Sequence, residues 1–203
     1  MITAIYLAAG KSSRMGENKL SLAFGNETVG NTALSVLLTA PFIDYVFVIV
    51  KPTDPVNWIS IENKRSLNGE KGEIIRCKDA NRGQSFSLKK GFEVAVEKQA
   101  DKILVCLADQ PFITEEMIRK IVNTPIHSSE EFAASMYNGV LMPPILFLPS
   151  VYSKIKLLEG DMGARKIINN GKIQGGKIEF SEELFFIDID TKIDYYNALV
   201  RRK

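Results

Sequence analysis

Ala4-Ile5-Tyr6-Leu7-Ala8-Ala9-Gly10-Lys11-Ser12-Ser13-Arg14-Met15-Gly16, followed by Lys19, is the stretch on which the reading of this chain turns. Residues 4–8 form a short apolar run that enters a glycine loop. In an open α/β sheet, the loop at the carboxyl end of a strand is where ligands bind. Gly10 and Gly16 let backbone N–H groups come close to an anion, Ser12 and Ser13 add hydroxyl donors, and Lys11, Arg14 and Lys19 add three cations. Together they read as a cradle for a triphosphate. Two commoner phosphate loops fail here. A P-loop needs a glycine five positions before its Gly-Lys, where Ile5 stands, and the dinucleotide fingerprint would put its second glycine at Ser12. Composition alone leaves a plain surface turn with incidental basic residues open.

Working outward, short apolar runs at residues 4–8, 45–50, 73–77, 102–107, 132–136 and 145–148 read as strands. Helical patterns lie between them. Residues 28–39 carry Leu34, Leu37 and Leu38 on one face, and residues 85–98 place Leu88, Phe92 and Val96 at i, i+4 and i+8. Thr114 caps a helix whose first turn holds Glu115 and Glu116, and a last helix spans residues 191–201. Residues 69–72 and 171–176 read as exposed glycine turns. Strands alternating with helices predict an α/β fold: a mainly parallel, Rossmann-like open sheet with helices on both faces. With no linker, repeat or shift in composition, residues 1–203 are expected to form a single domain.

Composition narrows the function classes. The chain has 203 residues, 45% hydrophobic and 25% charged, which is the balance of an ordinary globular protein. A net charge of +2 argues against nucleic acid as a partner, and Arg201-Arg202-Lys203 reads as a solvated helix end. No apolar run approaches the roughly 18 residues of a membrane helix, and the start lacks the basic region of a signal peptide, so a cytoplasmic protein is expected. Cys77 and Cys106 sit in strand-like runs as small core residues, and the lone His127 lies in a polar loop, so no zinc site is expected.

Chemistry on a triphosphate calls for a divalent cation held by a few carboxylates. Asp109, in Leu107-Ala108-Asp109-Gln110-Pro111, follows an apolar strand and so emerges at the same sheet edge as the glycine loop. Asp190, in Ile187-Asp188-Ile189-Asp190-Thr191, precedes the last helix. Taken alone, Asp109 is an ordinary turn residue and Asp190 an ordinary helix cap. In Asn81-Arg82-Gly83-Gln84-Ser85-Phe86, a glycine loop opens a helix whose free N–H groups face a nucleotide, or Ser85 is simply its N-cap. Gly160-Asp161-Met162-Gly163-Ala164-Arg165 brings a further helix start and an arginine suited to an anionic group, or an ordinary capped helix with an exposed arginine.

The first segment resembles the signature of the nucleotidyltransferases that activate sugar phosphates, isoprenoid alcohol phosphates and molybdopterin, the MobA-like family among them: Leu-Ala-x-Gly, then Ser or Gly, then Arg-Met-Gly, then Lys. The resemblance extends through Asp109 before its proline, Gly83-x-Ser85, the Gly160–Arg165 segment and the late Asp-x-Asp-Thr, and so covers essentially the whole chain. It implies a nucleotide-diphospho-sugar transferase-like fold. The loop of Leu7, Ala8, Ala9, Gly10, Ser12 and Ser13 would wrap the nucleotide with Gly83 and Ser85 at base and ribose, while Arg14 and Lys19 neutralise the leaving phosphates. Asp109 would be the main Mg²⁺ ligand, with Asp190 or, in exchange, Asp188 completing the site. Arg165 would meet the acceptor. Within the family the pattern looks like the molybdenum cofactor cytidylyltransferases, including proteins that support xanthine dehydrogenase-type enzymes in purine catabolism. Ala9 and Leu107-Ala108-Asp109-Gln110-Pro111 match the cytidylyl type, which favours CTP over GTP. The implied partners are thus CTP, molybdopterin or its molybdenum-loaded form, and an apo-molybdoenzyme. One departure is Met142-Pro143-Pro144, where the family carries Gly-x-Pro, and Gly139 lies upstream. Cytidylyl transfer to a sugar or polyol phosphate, and a carrier of molybdenum cofactor without catalysis, are the alternatives.

Overall fold

The computed structural model describes residues 1–203 except Ser13, Lys172 and Lys203. In chain order the strands are β1 (Ile2–Leu7), β2 (Ala23–Phe24), β3 (Glu27–Thr28), β4 (Tyr45–Val50), β5 (Gly72–Arg76), β6 (Lys102–Leu107), β7 (Phe132–Tyr137), β8 (Val140–Phe147) and β9 (Gly175–Glu179). The α-helices are α1 (Val29–Thr39), α2 (Ile61–Leu67), α3 (Gln84–Glu97), α4 (Glu115–Val122), α5 (Tyr152–Ile155), α6 (Arg165–Asn169) and α7 (Lys192–Arg201).

Seven strands make one sheet in the order β5-β4-β1-β6-β8-β7-β9, and β2 and β3 pair separately. Every pairing in the large sheet is parallel except the two made by β8. This is the mainly parallel sheet the apolar runs predict. Successive strand side chains point to opposite faces, and the core divides accordingly. Tyr6, Val46, Val48, Leu104 and Cys106 meet α1, α2 and α4 on one face. Ile5, Leu7, Phe47, Ile49 and Val105 meet α3, α5 and α6 on the other. Because both faces are covered, β1 and β4 are almost wholly buried, which is why their sequences run apolar instead of alternating.

Caps set the helix starts. Thr28 accepts a hydrogen bond from Asn31 N–H, Thr114 from Met117 N–H, and Thr191 from Asp194 N–H, the last within a full capping box. The helix expected over residues 191–201 therefore begins at Lys192, with Thr191, not Asp190, as its cap. His127 is exposed in its loop, Cys77 and Cys106 are buried thiols, and no helix among the described residues is long and apolar enough to cross a membrane.

Two expectations are corrected. β8 starts at Val140, five residues before the predicted run, because Asn138 and Gly139 take positive φ of 48° and 76° and close a tight turn from β7. Its pairing then jumps from Ser135↔Met142 to Ala134↔Ile145, leaving Pro143 and Pro144 in an irregularity where proline has no N–H to give the ladder. Met142 itself has no positive φ, so its backbone does not call for the glycine that the resemblance would place there. The glycine turn expected over residues 171–176 ends early, since Gly175 and Gly176 open β9 along β7.

Gly175 is there for space. A Cβ on it would stand 2.2 Å from the Phe132 carbonyl oxygen and 2.6 Å from its ring, whereas a Cβ on Gly176 would meet only Thr124 Cγ2 at 3.7 Å. Gly175→Ala should cost about 1–3 kcal/mol of stability, and Gly176→Ala less than about 0.5 kcal/mol. Thermal melts of the two variants test this, and indistinguishable melting temperatures would show that β7 and β9 do not pack this closely.

Candidate active site

Strand order decides where a crevice opens. From β1 the chain moves to β4 and β5 on one side, then crosses over to β6 on the other, so β1 and β6 are the strands at which the order reverses. Their carboxyl-terminal loops diverge there and leave room for a ligand. The glycine loop follows β1 and Asp109 follows β6, in register across Leu7↔Leu107.

A cavity of about 370 Å³ lies between them. Leu7, Ala8, Ala9, Gly10, Lys11 and Ser12 form one wall. Arg14, Lys19, Asp109 and Asp190 line it as a cluster of ion pairs, and Ala80, Gly83, Gln84 and Ser87 line it as well. Ala9 is buried, and Gly10 is exposed with nothing within 4 Å of where a Cβ would stand. The loop turns through a hydrogen bond from Met15 N–H to the Ser12 carbonyl and a positive φ of 75° at Gly16. Ser12 Oγ also accepts from Lys19 N–H at 3.3 Å, tying the loop to the short 3-10 turn Lys19–Ser21. Ser13 lies outside the described residues.

Lys19 is the electrostatic centre. Its side chain is only 6% exposed, and Nζ donates to Asp109 Oδ2 at 2.6 Å and to Asp190 Oδ1 at 2.8 Å. Arg14 Nη2 donates to Asp190 Oδ2 at 2.9 Å from a mostly exposed position. Burial works against the charge on Lys19, but attraction to Asp109 and hydrogen bonds to both carboxylates outweigh it and raise its pKa. Burial likewise works against charge on Asp190, yet Lys19 and then Arg14 hold its carboxyl below the usual carboxylate range. The main chain brings these groups together, because Ile189 N–H donates to the Asp109 carbonyl at 2.9 Å. Asp190 N–H and Thr191 N–H are held in turn by Asp194 of the capping box.

Asp188 and Asp190, indistinguishable in the sequence, point to different places. Asp190 joins Lys19, while Asp188 lines a second cavity of about 540 Å³. Burial against the cavity wall, then repulsion by Asp109 and Asp190, pushes Asp188 up to about 6. Its surface still opens to the cavity, so the wall desolvates it only in part. Arg165 lines this second cavity too, and donates to the Leu141 carbonyl at 3.3 Å. Among the described residues no three His, Cys, Asp or Glu side chains gather as a metal site.

One expected site residue is corrected. Ser85 neither caps α3 nor lines the first cavity. Gly83 is the N-cap residue, and Ser85 is fully buried with its N–H committed to the Gly160 carbonyl at 3.1 Å. A helix turns about 100° per residue, so the face toward the cavity carries Gln84 and Ser87 instead. Their i, i+3 spacing was the available signal. Asp161, which lines both cavities, lay unassigned within the Gly160–Arg165 segment. That segment is pressed on the start of α3, since a Cβ on Gly83, at φ of 134°, would stand 2.2 Å from the Gly160 carbonyl.

The description of a MobA-like NTP transferase domain matches residues 4–175. The chain belongs to this family. It is 32% identical over 203 residues to the purine catabolism protein PucB of Bacillus subtilis (strain 168), covering 99% of this chain and 96% of PucB. With a probable molybdenum cofactor guanylyltransferase of Mycobacterium avium (strain 104) it shares 24% identity, over 95% of this chain and 92% of that one. In fold it is similar to Rv0371c of Mycobacterium tuberculosis H37Rv, with a TM-score of 0.80 at 23% identity over 98% of this chain and 97% of the other. Rv0371c has also been crystallised as a complex with manganese. Nucleotidyltransferases are thus the family in which the crevice is to be understood.

The ion pairs give a pH test. Because the folded-state pKa of Asp190 is depressed below its ordinary 3.8, its stabilisation is present above that value and is lost as pH falls through the folded one. Wild type should therefore be more stable than Asp190→Asn at pH 7, by no more than about 1 kcal/mol because the carboxylate is about a third exposed. The gap should begin to narrow as pH falls below about 4 and close only below the depressed folded-state value, where the native carboxyl is protonated as well. Melts across pH measure it, and a gap that stays constant into acid would show that the ion pairs contribute nothing.

Proposed function

We propose that this chain is a Mg²⁺-dependent nucleotidyltransferase that moves CMP from CTP onto the terminal phosphate of molybdopterin and releases pyrophosphate. The observation that carries the proposal is the buried Lys19 ammonium between Asp109 and Asp190 at the mouth of the glycine loop. A surface turn with incidental basic residues has no reason to bury a lysine against two carboxylates.

The two carboxylates suit a divalent cation. One ammonium already touches both, so they converge on a point that a small cation can share. Two carboxylates also suit Mg²⁺, which keeps waters and takes substrate phosphate oxygens for its remaining positions. When bound there it neutralises phosphate charge and aligns the α-phosphate. The remaining work falls to the chain. The loop of Leu7, Ala8, Ala9, Gly10, Ser12 and Ser13 holds the nucleotide against Gly83, and Ala9 favours cytosine over guanine by resemblance to the cytidylyl type. Lys19 and Arg14 neutralise the phosphates that leave. An oxygen of the acceptor phosphate attacks the α-phosphorus in line, the bond from that phosphorus to the β-phosphate oxygen breaks, and pyrophosphate carries the electron pair away. Positioning and charge neutralisation supply the rate, since there is little covalent work for a protein to do.

Similarity to a molybdenum cofactor guanylyltransferase supports the acceptor, and similarity to the purine catabolism protein PucB supports a place in purine catabolism; a client enzyme of xanthine dehydrogenase type rests on the resemblance of Gly160–Arg165 alone. A carrier that only holds finished cofactor has no use for Lys19 and Asp109 arranged for a leaving group. Asp109→Ala should lower pyrophosphate release from CTP and molybdopterin by at least about a hundredfold, with a modest loss of stability because Lys19 keeps Asp190. A variant with full activity would remove Asp109 from the reaction. Run in parallel with CTP, GTP and ATP, the same assay should show preference for CTP.

A further inference from the structure

Resting on the reading of the first cavity as the nucleotide site, we propose that the second cavity holds the acceptor's ring. There Gln110, with Asp188, reads a 2-amino-4-oxopyrimidine edge.

Gln110 is fully buried, and neither its Nε2 nor its Oε1 has a hydrogen-bond partner among the described residues. A buried carboxamide without partners forfeits the hydrogen bonds it had to water and gains none in return. Such a group calls for a reason, and a ligand that completes it is one. Gln110 is among the residues around the 540 Å³ cavity and not among those around the nucleotide cavity. Asp188 is the polar side chain nearest its amide, without a hydrogen bond of ordinary geometry between them, and Gln84, Asp161, Arg165, Lys166 and Asn169 line the same cavity.

The rest of the cavity says what shape would fit. Leu107, Met142 and Pro143 offer apolar surface, and the Met142 thioether is compliant. Apolar surface set beside polar groups suits a flat heterocycle. Gln110 supplies both donor and acceptor, and a carboxylate at Asp188 accepts only. Their complement is a ring edge with a carbonyl acceptor beside N–H and amino donors. That is the 2-amino-4-oxopyrimidine edge, which a pterin carries and guanine shares. The two cavities share Leu7, Gln84, Leu107 and Asp161, so a ring in one lies next to a nucleotide in the other. This places the edge on the acceptor.

The probe is 6-hydroxymethylpterin, whose fluorescence reports binding and which has no phosphate to react. Its counterpart 6-hydroxymethyl-lumazine replaces the amino donor with a carbonyl. Wild-type protein should bind the pterin at least about tenfold more tightly than the lumazine, and Gln110→Leu should lose at least about tenfold of pterin affinity. The same variant should bind CTP within about twofold of wild type and melt at an equal or higher temperature, because it removes an unsatisfied buried amide. Gln110→Met, unbranched like glutamine, takes its place if leucine's branch prevents folding. A variant that melts lower and keeps its pterin affinity would make Gln110 a structural residue and overturn the proposal. Equal binding of pterin and lumazine by wild type would do the same. If guanosine affinity depends on Gln110 and pterin affinity does not, the cavity belongs to a nucleotide base and its assignment to the acceptor falls. Wild type that binds CTP and refuses the pterin refutes only this inference, whereas wild type that binds no nucleotide refutes the reading on which it rests.

Discussion

The candidate site depends on a lysine ammonium that is withdrawn from water. A charge in that position is costly unless it is paired, and Lys19 is paired twice, with residues 90 and 171 positions further along the chain. The pairing works in both directions. Asp109 and Asp190 converge on the ammonium at one corner of the crevice, while Asp188, its carboxyl pushed up first by burial and then by repulsion from those two, lines the second cavity instead. The ammonium is what lets Asp109 and Asp190 remain charged side by side. Any arrangement that moved Lys19 away would leave those carboxylates facing each other with only the exposed Arg14 to offset them.

That one contact imposes demands on the fold. Lys19 has to be delivered by the loop after β1, Asp109 by the end of β6, and Asp190 by the approach to α7. Parallel pairing of β1 with β6 meets the first two demands, since Leu7 and Leu107 end their strands in register. The third is met by main chain: Ile189 N–H on the Asp109 carbonyl, then Asp194 on the N–H groups of Asp190 and Thr191. These are backbone and cap interactions with little freedom. Two acids on separate elements are therefore fixed closely enough for a single ammonium to reach both.

What could be read in advance follows from which signals are local. β4 and β6 were legible to the residue, because strands buried on both faces are continuous apolar runs with nothing else to be. β9 was not, since Gly175 and Gly176 look like turn residues until Phe132 is seen to leave no room for a side chain. The start of β8 was hidden by Pro143 and Pro144, which belong to an irregularity that only the pairing partner defines. Much of the glycine loop could be recognised because its residues are contiguous. Ser85 was misplaced because a serine two residues after a glycine looks like a cap, and only the rotation of α3 shows that Ser87 faces the cavity. Asp188 and Asp190 have the same chemistry two residues apart, and the backbone alone sends them into different cavities.

The same distinction separates the two halves of the proposed reaction. A triphosphate is recognised by charge and by backbone N–H groups, and one loop can supply most of both, so the nucleotide half is written in a short run of sequence. A neutral ring edge is recognised by a few side chains that converge from separate elements. In the acceptor cavity as proposed, these would be Gln110 after β6 and Asp188 before α7, with Met142 of β8 as apolar wall. Gln110 and Asp188 lie inside motifs that the sequence reads through Asp109 and Asp190 instead. Gln110 looks like an unremarkable companion of Asp109 until burial removes both polar atoms of its amide from water and leaves them unpaired. An unsatisfied group is a property of the folded chain and not of the sequence, and for that reason acceptor choice becomes visible only in three dimensions.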